Sequence, residues 1–190
     1  KKAVLVSDTH FGLVNYKKFS DRVVNRILAL QPDFVLHAGD FYDGPNVDTE
    51  PLTASWKNLT AKVPVFYAPG NHELYGNYKV FVQSVADAGV TVLENKKTLY
   101  EGVQIAGVTY HEGKESPETA QAIASLGIDA SIASILINHP PTALQSAEKA
   151  QVGLMVSGHT HNGQFWPLTY VVRKVYGAYH YGHNMHGSMD

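Results

Sequence analysis

The stretch GHTHNGQ, residues 158–164, sets His159 and His161 one residue apart between glycines. Elsewhere the chain carries Asp8-Thr9-His10, Gly39-Asp40 with Asp43 close behind, Gly70-Asn71-His72-Glu73, and Asn138-His139. These are carboxylate, amide and imidazole donors with no thiolate among them. Such a set suits Mn, Fe, Zn or a related divalent ion. Asp8 and His10 are separated by one residue, so a single loop can aim both at one ion. A carboxylate such as Asp40 can bridge two. Two ions roughly 3.5–4 Å apart clamp a transferring phosphoryl group and activate a water or bridging hydroxide. Taken singly, each stretch also reads as an ordinary turn or surface loop. His37 and His111 read as structural residues or as supports behind the ligands, rather than as ligands. The signal lies in the ordered set.

That set has meaning only if the fold brings it together. Residues 3–7 (AVLVS) form an apolar run without alternation, the mark of a strand covered on both faces. A helix follows, with Tyr16, Phe19, Val23, Ile27 and Leu30 at helical spacing, and it must stop before Pro32. Strands are expected at 33–37 and in VPVFYAPGN. Helices are expected from Pro51 and over YKVFVQSVADAG. TVLEN, KKTLYEG and VQIAGVT read as three short strands. Ser116 and Pro117 open a helix that Gly127 stops. SIASILINH and VGLMVSGH read as strands with a helical TALQSAEKAQ between them. FWPLTYVVRKVYGAYHYG has strand character. Five apolar strands thus each end just before a donor residue. Open α/β sheets bind ligands outside those ends, so the donors are expected to converge. The pattern predicts an α/β layer fold of two packed sheets flanked by helices.

Composition narrows the rest. The 190 residues are 44% hydrophobic and 17% charged, with a formal charge of −2 and no cysteine. That suits one domain with a real core. It excludes thiol catalysis, disulfides and cysteine-based zinc sites. No basic block offers itself to nucleic acid; Lys96, Lys97, Arg173 and Lys174 are few and scattered. No apolar run approaches the ~18 residues of a membrane span. No signal peptide is visible, and no lipid-binding surface is evident.

Asp8-x-His10, Gly39-Asp40-x-x-Asp43, Gly70-Asn71-His72-Glu73, His139 and Gly158-His159-x-His161 resemble the ordered motifs of the calcineurin-like metallophosphoesterases. The resemblance runs from residue 4 to about residue 165. It implies a four-layer α/β/β/α sandwich, with two mixed sheets flanked by helices, and a binuclear metal centre. By motif match, Asp8, His10, Asp40 and His161 would hold the first ion. Asp40, Asn71, His139 and His159 would hold the second, with Asp40 bridging. His72 would act on the phosphoryl group rather than on a metal, Glu73 would orient His72, and Asp43 would support the site or cap its turn. The implied reaction is direct attack of metal-bound hydroxide on a phosphodiester or pyrophosphate bond. A phosphomonoesterase, a nuclease and an inactive metal-binding scaffold remain open as alternatives.

Within that superfamily the stretches SDTHFG, HAGDFYDG, APGNHELY and GHTHNGQFWP look most like the bacterial membrane-associated phosphoesterases related to YkuE. This resemblance implies a small-molecule or lipid-linked phosphoester as substrate. It also implies one domain over residues 1–190, with an N-terminal anchor or signal and part of the C-terminal end lying outside it. Membrane association would then come through such a segment, and a cytoplasmic location otherwise. Asn162 stands where a glycine is usual. Phe165 and Trp166 either line the site, where they could meet a base or an acyl chain, or belong to the core between sheets. His180, His183 and His186 lie three apart, but Gly182 and Gly187 oppose a helix that would align them.

Overall fold

The computed structural model describes residues 1–113 and 116–190. Four strands run parallel in one sheet: β1 (Ala3–Val6), β2 (Phe34–His37), β3 (Val65–Tyr67) and β4 (Thr91–Val92), in that spatial order. Parallel neighbours need a crossover. The helices α1 (Lys17–Ala29), α2 (Glu50–Thr60) and α3 (Tyr78–Asp87) supply it. The second sheet runs β5 (Lys96–Tyr100), β6 (Val103–Gly107), β7 (Ser134–Ile137) and β8 (Leu154–Val156). Its crossovers are α4 (Pro117–Ser125) and α5 (Leu144–Lys149). Among the described strand pairs of this sheet, β5–β6 is antiparallel and the other two are parallel. The family resemblance implies two mixed sheets; the first is instead parallel throughout, because every link in it contains a helix.

Side-chain alternation along β2 explains the layering. Phe34 and Leu36 face the second sheet and meet Phe66, Ile105 and Ile137 in the central core. Val35 and Tyr67 face outward onto α1, α2 and α3, around the fully buried Trp56. The outer face of the second sheet packs Ala106 and Leu136 against Ile123 of α4 and Ala147 of α5. The order is therefore helix, sheet, sheet, helix. Each large side chain buried there contributes roughly 1.5–3 kcal/mol. Local signals act as expected at α4, where Ser116 Oγ accepts the Thr119 N–H at 3.3 Å and Pro117 takes the first helical position.

The segment after His161 departs from expectation. Strand character predicts an extended chain over residues 168–176. They form α6 (Leu168–Tyr176). Leu168, Val171, Val172 and Val175 recur at three and four residues, the helical period, and this outweighs the strand preference of their β-branched side chains. No residue of α6 is buried. Phe165 and Trp166 are 68% and 88% exposed, so they are not core. The tail then returns to β8, where Met155 N–H donates to Asp190 O at 2.9 Å. Its histidines separate: His180 lies by Arg173, His183 by Asp190, and His186 by Tyr179. Among the described residues no helix is long and apolar enough to cross a membrane.

Candidate metal centre

β1, β2, β3, β7 and β8 end on the same edge of the sandwich, and the loops beyond them are laced together by backbone. Asp8 N–H donates to Gly39 O at 3.1 Å, and His10 N–H donates to Asp40 O at 3.0 Å. Gly158 N–H donates to His139 O at 2.8 Å. The two sheets are joined across this edge by Asp8, whose Oδ1 accepts the His159 N–H at 3.0 Å. Five donor residues sit in the left-handed region: Asp8 (φ 53°), His10 (46°), Asp40 (53°), His159 (71°) and His161 (48°). Such conformations cost of order 1–3 kcal/mol each and cluster at functional sites. Asn162 is also left-handed, at φ 50°. A glycine there would be free of that strain, and asparagine tolerates it better than most residues. Gly70 is required by close approach, since a Cβ would overlap the Asp40 carboxylate and the His139 ring.

The side chains form two groups sharing Asp40. Donor atoms of Asp8, His10, Asp40 and His161 all lie within 4.8 Å of one another. Those of Asp40, His139 and His159 do likewise. In the first group His10 Nε2 is 3.1 Å from His161 Nε2, and His161 Nε2 is 3.3 Å from Asp8 Oδ1. In the second, Asn71 Oδ1 lies 3.0 Å from His139 Nε2 and 2.8 Å from His159 Nδ1. Asp40 Oδ1 accepts the His72 N–H at 2.9 Å. This leaves Asp40 Oδ2 between the groups, 3.2 Å from His139 Nε2 and 3.8 Å from His10 Nε2.

The donor chemistry fits divalent cations. His139 Nδ1 donates to Ala38 O at 2.6 Å. A neutral His139 therefore presents its lone pair at Nε2. That lone pair faces Asn71 Oδ1 and Asp40 Oδ2, both electron-pair donors. Only positive charge reconciles such a set. Burial pushes the His139 pKa down, yet the adjacent Asp40 carboxylate overrides it and raises it. Burial pushes Asp8 up, but bonds from His161 and Ser7 and the nearby His139 ring hold it well below the carboxylate range. Burial, aided by His139, takes His159 down to about 4. Carboxylates stay ionised and His159 stays neutral at pH 7, as metal ligands must be.

Glu73 differs from expectation. Its carboxylate accepts N–H groups from Phe41 at 2.7 Å, Tyr42 at 3.1 Å, Asp40 at 3.2 Å and Gly70 at 2.7 Å. It therefore clamps the β2 and β3 loops and does not orient His72. The physical reason is reach: Glu73 is fully buried beneath the loop, whereas the His72 ring lies at the surface of the site. Asp43 takes the orienting position, with Oδ1 2.9 Å from His72 Nδ1. Asp43, His10 and His72 also form a third close group of donors.

The sequence reading missed Tyr75. Its hydroxyl accepts from Asn71 Nδ2 at 3.2 Å, turning the Asn71 carbonyl toward the histidines. The signal was its position one helical turn after Asn71, in the 3₁₀ turn His72–Tyr75. Tyr110 was also missed; its ring lies 5.9 Å from that of His159.

Residues 1–163 match the family described as Calcineurin-like phosphoesterase. An uncharacterized metallophosphoesterase of Helicobacter pylori is 29% identical over 175 residues, covering 90% of this chain and 47% of the relative. One from Campylobacter jejuni is 29% identical, covering 94% and 49%. The chain thus spans about half the length of these curated relatives. The crystal structure of TT1561 of Thermus thermophilus superposes with a TM-score of 0.64 at 12% identity, over 83% of this chain and 80% of that one. With its ordered motifs, sandwich and converged donors, this chain belongs to the calcineurin-like phosphoesterase family.

Proposed function

We propose that the chain is a binuclear metal-dependent phosphohydrolase acting on phosphodiester or pyrophosphate bonds. The observation that carries this reading is Asp40 Oδ2, a buried carboxylate oxygen set between two donor groups, 3.2 Å from His139 Nε2 and 3.8 Å from His10 Nε2. Asp8, His10, Asp40 and His161 would hold one cation, and Asp40, Asn71, His139 and His159 the other. Mn, Fe and Zn fit these oxygen and nitrogen donors. Bound there, two cations supply Lewis-acid polarisation of a phosphoryl oxygen and a water acidified to neutral pH.

The chain's own residues do the rest. His72 turns its Nε2 toward the centre, 3.9 Å from Asp40 Oδ2, while Nδ1 faces Asp43. The Asp43 carboxylate engages Nδ1 and so fixes the ring with Nε2 toward the centre, from where it can pass a proton to a departing oxygen. An imidazole suits that task because its pKa lies near operating pH. A leaving alkoxide is stabilised by such a proton. Glu73 keeps the Asp40 loop in place through four backbone N–H groups. The chain has no cysteine, and direct hydrolysis requires no side-chain nucleophile.

Elemental analysis after dialysis against limiting Mn²⁺ or Zn²⁺, with Asp40→Asn alongside, tests the reading. About two ions per chain, both weakened in the variant, together with hydrolysis of bis(p-nitrophenyl) phosphate lost in it, is the expected result. Full metal content and full rate in Asp40→Asn would sink it.

A further inference from the structure

The loops that carry the donor histidines share a second property. Each passes, within a few residues, into large apolar side chains that face water. Leu13 and Val14 follow His10 at 90% and 94% exposure. Leu74 and Tyr75 follow His72 at 51% and 65%. Phe165 and Trp166 follow His161 at 68% and 88%. Val14, Leu13 and Trp166 are the three most exposed large apolar side chains among the described residues. His10 and His161 meet at 3.1 Å, and the rings of His10 and His72 at 4.4 Å. Five residues of chain span at most about 18 Å. Each of the six side chains therefore sits within about 18 Å of a donor histidine, on loops that meet at the centre, and we take them together as one collar.

α6 extends the collar. It turns Thr169, Val172 and Tyr176 partly toward the protein, the last with its ring 6.1 Å from that of His159. Leu168, Val171 and Val175 stay in water at 52%, 50% and 40% exposure. Helix α6 is thus fastened beside the centre with an apolar edge free. Apolar patches of this extent mark interaction sites.

Charge identifies the occupant. Residues 9–20, 74–80 and 162–182 contain no acidic residue. They contain Lys17, Lys18, Lys79, Arg173 and Lys174, in a chain whose formal charge is −2. Lys17 is shared with Asp21 at 2.7 Å. Exposed Trp, Tyr, Phe and Leu beside basic groups, with Asp43 held against His72 as the acid between these loops, is a composition that lies in a headgroup layer and is drawn to anionic lipid.

We infer that the collar docks the mouth of the metal centre on an anionic lipid surface. The inference deepens the phosphohydrolase reading, since a site facing a bilayer meets lipid-linked phosphoesters. It has its own readout. Trp56 is fully buried, so Trp166 is the exposed fluorophore of the two tryptophans.

The experiment uses the chain in EDTA with vesicles of phosphatidylcholine alone or mixed with phosphatidylglycerol. Expected with the mixed vesicles are co-sedimentation, a blue shift of Trp166 emission, and quenching by brominated acyl chains. The double variant Leu13→Asp/Val14→Asp should bind at least tenfold more weakly while keeping the circular dichroism spectrum of the parent. Leu99→Asp should bind as the parent does. Leu99 is 63% exposed, but lies next to the Tyr100–Val103 turn, at the opposite end of the sandwich. Absence of vesicle binding would overturn the inference, as would equal binding by the Leu13/Val14 variant. A blue shift without lipid, accompanied by dimers in sedimentation velocity, would assign the collar to a second copy and also overturn it. Because binding is read in EDTA, loss of docking leaves the hydrolytic reading standing, and failed hydrolysis leaves docking standing.

Discussion

His10 and His161 are 151 residues apart in sequence, and their Nε2 atoms lie 3.1 Å apart. The rings are near parallel, at 28°. One sits on the loop after β1 and the other beyond β8, so the contact bridges the edges of two sheets. Two imidazole nitrogens at that distance share either a proton or a cation. His161→Ala should reduce metal content from about two ions to about one. It should weaken the remaining first-group affinity by more than the ~10–100-fold lost when an outer partner is removed. Isothermal titration with Mn²⁺ checks this; two ions bound with unchanged affinity would remove His161 from the ligand set.

His72 and Asp43 should act as a pair. His72→Ala should retain metal yet slow hydrolysis by roughly 10²-fold or more, the range of general acid catalysis. Asp43→Asn should slow it by about 10-fold or more with metal content kept. Both losses should grow as the leaving group becomes more basic, which a series of aryl and alkyl phosphodiesters would measure. A flat series would end the acid role. Loss of metal in Asp43→Asn would instead make Asp43 a ligand alongside His10.

Glu73→Gln should damage the fold before the chemistry. The amide nitrogen would face N–H donors where a carboxylate oxygen now accepts them. A buried donor left without a partner costs roughly 1–3 kcal/mol, and more beside charge. The unfolding free energy from urea titration should fall by that much and metal affinity with it. An unchanged midpoint would show that the clamp contributes little.

His37 should make the fold acid-sensitive. It is fully buried among Phe41, Trp56 and Tyr67, and its Nδ1 has no partner among the described residues. Burial first, then the neighbouring His139, pulls its pKa down to about 3. The folded chain therefore keeps His37 neutral where the unfolded chain binds a proton. The sign follows: stability from this group is complete above pH ~6.5 and falls by up to about 1.4 kcal/mol per pH unit below it, toward pH 3. In EDTA, His37→Phe should lose less stability than the parent between pH 7.5 and 5. Parallel urea curves at the two pH values would refute this.

The central pattern was legible because it is local. Apolar runs of four or five residues, each followed by Asp, Asn or His, announce strands that discharge donors at one edge, and Ser116-Pro117 announces its helix. The same letters left other matters undecided. Glu73 sits beside His72 in sequence, yet points under the loop to four N–H groups, while Asp43, twenty-nine residues away, reaches the ring. Residues 168–176 satisfy both a strand preference and a helical period; the helical period prevails, and Tyr176 packs its ring 6.1 Å from that of His159.

What the sequence determined by itself was the donor inventory, the layer architecture and the family. Residue type and period encode the donors and the layers directly; the family follows from the resemblance of the ordered motifs. The tertiary structure alone decided that Asp40 Oδ2 lies between two groups, that five donors hold left-handed backbone, and that Leu13, Leu74 and Trp166 stay exposed. Those depend on distances between loops far apart in the chain. Only packing of the two sheets sets such distances.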